Sequence, residues 1–426
     1  MRFVSPVTLG LVLGLTTMSL GVSVPVATAK EKAAEAPKLK LSDAFKAPII
    51  KTEQALAKKD TAAAAAAIAE AEPLAKTPDE LYMLNSERLN LSILTKDTAL
   101  QQRALTGLLD TGLVPQAQVG QFNMFAAQGD LTAKKYDSAL ARAQAALAAG
   151  YKADEANLTI AQAYFGKAEG GNPAVEPGRT AIVNGLKAFR LAIDASKAAG
   201  QAVPAQWYAV GVSRADAANL PEIKDWAQMA YEAEPNGVNL RTLLRVYQRA
   251  NPAITNRENL DVMRLMSASG GLAVKGDFAE YAEMAFKGGV LGETKSAIDK
   301  GRAGGKMTST DSADLYALAS QKVAGDKASL PASEVDARKS ATGKIASAAA
   351  DAYLGYGDYA KAVTFYQLAI SKGGADIAEA NTRLGIALAL SGDTEGAKAA
   401  FSKVTTGTRG DIARYWLTWL AHKTAA

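Results

Sequence analysis

Between residues 343 and 407, small and apolar positions recur three and four apart, and then the whole block returns. Tyr353, Gly357, Asp358, Ala362, Tyr366 and Ala369 are followed, each 35 residues later, by Leu388, Gly392, Asp393, Ala397, Phe401 and Val404. Ala349 with Leu384 and Ala350 with Gly385 keep the same offset. Steps of three and four place side chains on one face of an α-helix, so each block reads as two helices joined by a turn. Gly357 and Gly392 permit that turn, and the aspartate after each can cap the next helix. Ala362 and Ala397 are small enough to let the second helix lie close to the first, while Tyr366 and Phe401 fill the space between hairpins. Alternation at period two is nearly absent, which argues against a sandwich or barrel.

In this stretch the chain resembles tetratricopeptide-repeat proteins, whose helix–turn–helix unit spans about 34 residues. Weaker copies lie upstream. Trp207, Val210 and Gly211 match the start of a repeat and Pro235 its end, with Arg214 where a tyrosine is usual. Tyr136, Ala139, Ala143 and Ala146 read as a second helix, and Ile160, Ala161, Tyr164 and Phe165 as the first helix that follows. Asp60 ahead of Ala62–Ala67 with Ile68 and Ala71 gives a fainter copy. Breaks are expected at Gly129, Gly150, Gly170–Pro173, Pro235–Gly237, Asn251-Pro252, Gly270-Gly271 and Gly304-Gly305. The expected fold is all-α, a right-handed superhelical solenoid of antiparallel helix hairpins, with some twenty helices. As a whole the chain resembles the exported, Ala-rich tetratricopeptide-repeat proteins of Gram-negative bacteria. That resemblance implies a periplasmic interaction protein and carries no catalytic residues across.

The two ends read differently from the middle. Arg2, an apolar stretch from Val7 to Val26 and the small-x-small run Ala27-Thr28-Ala29 have the form of a cleavable signal peptide over residues 1–29. Residues 30–41, with Lys30, Lys32, Lys38 and Lys40, read as a flexible leader. Degenerate repeats are then expected over 42–330, and the clear repeat pair with a capping helix over 331–426. In that last helix Ile412, Trp416, Trp419 and Leu420 form one stripe suited to covering a final repeat, whereas Tyr415 and Leu417 point elsewhere. No segment after the leader is long and apolar enough to span a bilayer.

Composition narrows the chemistry. Alanine, the strongest helix former, supplies 89 of 426 residues. There is no cysteine and one histidine, so disulfides, thiolate nucleophiles, zinc–cysteine sites and histidine clusters are excluded by counting. His422 has no evident acid–base partner. Without Arg2 the chain carries 47 basic and 43 acidic side chains, and no basic stripe is interleaved with aromatics, so nucleic acid is not an expected partner. Gly301–Met307 imitates a phosphate loop but has three residues between its outer glycines and Met307 after the lysine, so it reads as a linker. Asn90 and Asn157 head glycosylation sequons.

The expected function is a non-catalytic scaffold for a protein or peptide, with neither metal nor cofactor. The rival is a helical-toroid enzyme that cleaves polysaccharide with a carboxylate pair. Repeat concave surfaces are lined mainly by first helices. Here that face would present Lys344, Ser347, Asp351 and Leu354, then Glu379, Thr382, Arg383 and Ile386. Ser347, Asp351, Thr382, Arg383, Trp416 and Trp419 are therefore the candidate partner-binding residues.

Overall fold

The computed structural model describes residues 39–423. The expected signal peptide lies outside the described residues, as does the leader up to Lys38. All regular structure among the described residues is helical, twenty α-helices and one short 3-10 turn, as the periodicity predicts. The chain forms two compact units: one runs to Val203 and includes Ala217–Asn219, the other comprises Pro204–Asp216 and everything from Leu220. The division expected at 330/331 falls inside a helix, so the clear repeats continue the second unit and form no unit of their own.

Unit 1 contains α1 (Asp43–Ala57), α2 (Thr61–Ala71), α3 (Pro78–Thr95), α4 (Thr98–Asp110), α5 (Gln116–Thr132), α6 (Tyr136–Ala148), α7 (Ala153–Ala168) and α8 (Gly178–Ala198). Consecutive helices pack pairwise, as hairpins must when no single one can bury its apolar face. Asp60 and Asp97 cap α2 and α4, and Thr77 with Glu80 forms a reciprocal capping box on α3. Glu80 also accepts from the Ser42 hydroxyl at 2.6 Å and from the backbone N–H of Ser42, Lys76 and Thr77. These bonds, the Ser42 hydroxyl foremost, hold its carboxyl down at about 2. Lys40 N–H donates to Asp79 at 2.7 Å, and Leu39 and Leu41 pack on the core, so residues 39–41 are docked where a flexible leader was expected. The break expected at Gly129 is absent because α5 continues to Thr132; a Cβ at Gly129 would collide with the Gln102 amide. Both sequon asparagines sit within helices, and Asn157 spends its amide on the Ala153 carbonyl at 2.7 Å.

Glu87, on α3, is the electrostatic misfit of unit 1. Burial pushes its carboxyl up to about 7, helped by the charge of Glu53, with only a long bond from Asn90 opposing. A carboxyl raised from 4.5 in the unfolded chain costs stability progressively as pH rises through this interval, and the full cost stands above pH 7. Glu87→Gln is therefore expected to stabilise unit 1 at pH 8 by up to about 3 kcal/mol and to have little effect near pH 4.5, read by urea denaturation at the two pH values.

Unit 2 contains α9 (Ala205–Ala217), α10 (Ile223–Ala233), α11 (Gly237–Ala250), α12 (Asn256–Ala268), α13 (Lys275–Lys287), α14 (Leu291–Ala303), α15 (Ala313–Lys339), α16 (Lys344–Gly355), α17 (Tyr359–Lys372), α18 (Ile377–Ser391), α19 (Thr394–Phe401) and α20 (Gly407–His422). Gly357 and Gly392 take φ values of +78° and +94°, which a side chain would strain, and Asp358 and Asp393 cap α17 and α19. Ala362, Tyr366, Ala369, Ala397 and Phe401 are buried, as is Tyr353, while Leu388 packs partly buried against the same core. Trp226 is a packing residue against Gly211.

Two features depart from simple hairpin stacking. The first is α15, 27 residues long, with Pro331 inside it and only Ala319, Leu330 and Ala337 buried. Polar contacts tie it to its neighbours: Asp326 and Glu334 accept from the hydroxyls of Tyr356 and Tyr353, and Lys372 donates to the carbonyls of Arg338 and Ser340. The second is α20, which packs on α18 and α19 and also against α12. Trp416 is fully buried, stacked on Phe401 and edge-on to Trp419, and its indole N–H donates to the Asp261 carbonyl at 3.3 Å. Tyr415, off the main stripe, meets Tyr247 of α11, and His422 meets Tyr231 of α10. The helix expected to cap one repeat is thus sandwiched, which satisfies the aromatic residues that one buried face would leave exposed.

Candidate functional site

Of the eight residues expected to line an open concave face, five are buried inside unit 2, Ser347 and Asp351 are half-buried and Lys344 is exposed. Thr382 and Ile386 are fully buried, Arg383 is 2% exposed, and Leu354 and Glu379 are buried as well. Glu379 and Arg383 reach α12 and α20 directly, pairing with Arg257, Asp261 and Arg409. Of the six candidate binding residues, Thr382, Arg383 and Trp416 are enclosed, Asp351 is engaged internally, and Ser347 and Trp419 keep partial exposure.

Charge makes that enclosure specific. Asp261 of α12, wholly buried, accepts from Arg264 at 2.6 Å, from Arg383 at 3.3 Å through both oxygens, and from Arg409. Arg264 turns its other edge to Glu293 of α14, with Nε and Nη2 at 2.8 and 2.5 Å, and the Tyr281 hydroxyl donates to the same carboxylate at 2.6 Å. Glu379 accepts through one oxygen from Arg257, Arg383 and Arg409. Asp351 accepts from Arg257, Arg383 and the Tyr366 hydroxyl. Four arginines thus meet four carboxylates, so the cluster is neutral as a whole. Burial alone would push the Asp261 carboxyl up, but Arg383, Arg409 and Arg264 outweigh it and hold the group well below the ordinary carboxylate range. The acids of this cluster are acceptors of arginine bonds, and none is placed as a free general acid or base.

Beside Glu293 the cluster opens into a cavity of about 290 Å³ within unit 2. Arg264, Tyr281 and Glu293 form its buried side; Lys300 of α14, Lys327 of α15 and Tyr359 of α17 also line it. Burial and then the Glu293 charge push the Tyr281 phenol well above its ordinary value, so it stays a donor. These residues come from five helices, and nothing in their sequence spacing announces them.

Taken together, the hairpins and the repeat signature define an all-α helical-repeat protein. No family model matches the chain, and no curated protein matches it. Among solved structures it is similar to the crystal structure of yeast Tom70, over 88% of each chain at 10% identity with a TM-score of 0.23.

Proposed function

We propose that the protein is an exported, non-catalytic scaffold of the tetratricopeptide type that holds a protein or peptide partner in the periplasm, as part of an envelope assembly. The observation that supports this reading most is the 35-residue hairpin repeat of residues 343–407, whose turn glycines, caps and inter-hairpin aromatics occupy the positions the resemblance implies. Export rests on the Ala27-Thr28-Ala29 boundary. The enclosure of Thr382, Arg383 and Trp416 directs partner contact to accessible neighbours, with Ser347 and Trp419 the members of the candidate set that remain at the surface.

Cell fractionation is expected to recover a processed chain beginning near Lys30 in the periplasm; a full-length chain in the cytoplasm would overturn the export reading. A photocrosslinking residue placed at Ser347 or Trp419 should capture one recurrent protein from intact cells, whereas the buried position Thr382 should capture none. Equal labelling at all three positions, or at none, would remove the partner surface.

A further inference from the structure

We propose that the cavity beside Glu293 binds a small organic anion, a carboxylate or phosphate on a compact apolar body, which bridges Lys300 of α14 and Lys327 of α15. This site is independent of the scaffold reading and can stand if that reading fails.

The cavity lining sets Arg264, Lys295, Lys300 and Lys327 against the single carboxylate of Glu293. Two of those cations are spent. Arg264 serves Asp261 and Glu293, and Lys295 pairs with Asp299 at 2.6 Å. Glu293 is likewise satisfied, by Arg264 and the Tyr281 hydroxyl. Lys300 and Lys327 have no carboxylate partner among the described residues. Lys300 makes a 3.4 Å contact with the Ser267 hydroxyl, and Lys327 lies 4.9 Å from the centre of the Tyr356 ring. The cavity therefore presents two positive charges in excess, next to a buried side already neutral.

The rest of the lining fits an anion with a small apolar body. The Tyr359 hydroxyl makes no hydrogen bond among the described residues, and burial together with the Glu293 charge pushes its phenol up, which keeps it a donor. Val323, Leu354 and Leu390 supply apolar wall. The volume, about 290 Å³, suits a small molecule better than a peptide segment. Binding would also act on α15. That helix buries only three side chains, so an anion shared between Lys300 and Lys327 adds a charge-assisted tie between it and α14.

The test uses the full processed chain and two probes of matched shape, phenyl phosphate and benzoate, titrated calorimetrically at constant ionic strength. At least one should bind saturably, and the stronger of the two assigns the headgroup as phosphate or carboxylate. Both lysines are exposed, so K300Q/K327Q should fold normally by circular dichroism while binding that probe roughly tenfold or more weakly. The bound probe should slow hydrogen exchange along residues 313–339 in the wild type and not in the double variant. Failure of both probes to bind in the millimolar range, or undiminished binding by a folded K300Q/K327Q, would overturn the assignment.

Discussion

Asp261→Asn is expected to destabilise unit 2 by about 3–5 kcal/mol, the usual consequence of removing one partner from a buried ion cluster. The amide keeps the shape of the carboxylate, so the loss isolates charge: Arg264, Arg383 and Arg409 would share three acids with Arg257 where four stood before. The sign of the pH dependence is fixed by the depressed carboxyl. A folded value below the unfolded one stabilises at neutral pH, and that contribution fades as pH falls below about 4 towards the folded value. The gap between wild type and variant in urea denaturation should therefore be widest near neutrality and should narrow in acid. A gap independent of pH would show that shape and not charge holds α12, α18 and α20 together.

Trp416→Ala should cost roughly 3–5 kcal/mol, as truncation of a large buried aromatic does. Its site differs from that of a simple end cap, because the side chain touches Phe401 on one side and the Asp261 carbonyl on the other. Loss should therefore appear at two separate places in unit 2, with faster proteolysis around α12 as well as α19, while the helices of unit 1 keep their protection. Trp416→Phe separates the two contributions: it retains most of the packing and gives up the indole N–H bond, for about 1 kcal/mol. Melting of the alanine variant indistinguishable from wild type would contradict the full burial of the Trp416 side chain.

How far the sequence foretells this structure depends on the distance between partners. Helices, their caps and the turns at Gly357 and Gly392 are set by residues within one hairpin, and periodicity reads them. The enclosure of Arg383 is set by Asp261, 122 residues away, and by Arg409, 148 residues from Asp261. Nothing local distinguishes that arginine from one on a solvated groove. A signal did exist at the other end of the pair: Asp261 and Arg264 interrupt an otherwise apolar run, Leu260 to Met266, in which every position is buried. Charges embedded that way must find partners inside the fold. The length of α15 was hidden for a different reason. It buries three residues in 27, so it has no apolar stripe to announce it, and Pro331 argues locally for a break.

The span of the Asp261 contacts also governs how this unit is made. During synthesis Asp261 leaves the ribosome 148 residues ahead of Arg409, an interval of roughly 7–30 s at ordinary elongation rates. Throughout it, hairpins from α13 onward can assemble in order, each on the one before, but α12 waits for its final arginine and for Trp416. Unit 2 therefore combines the quick local assembly of a repeat array with one late, high-contact-order closure, and that last step sets when the nascent unit ceases to be a substrate for holdases and proteases.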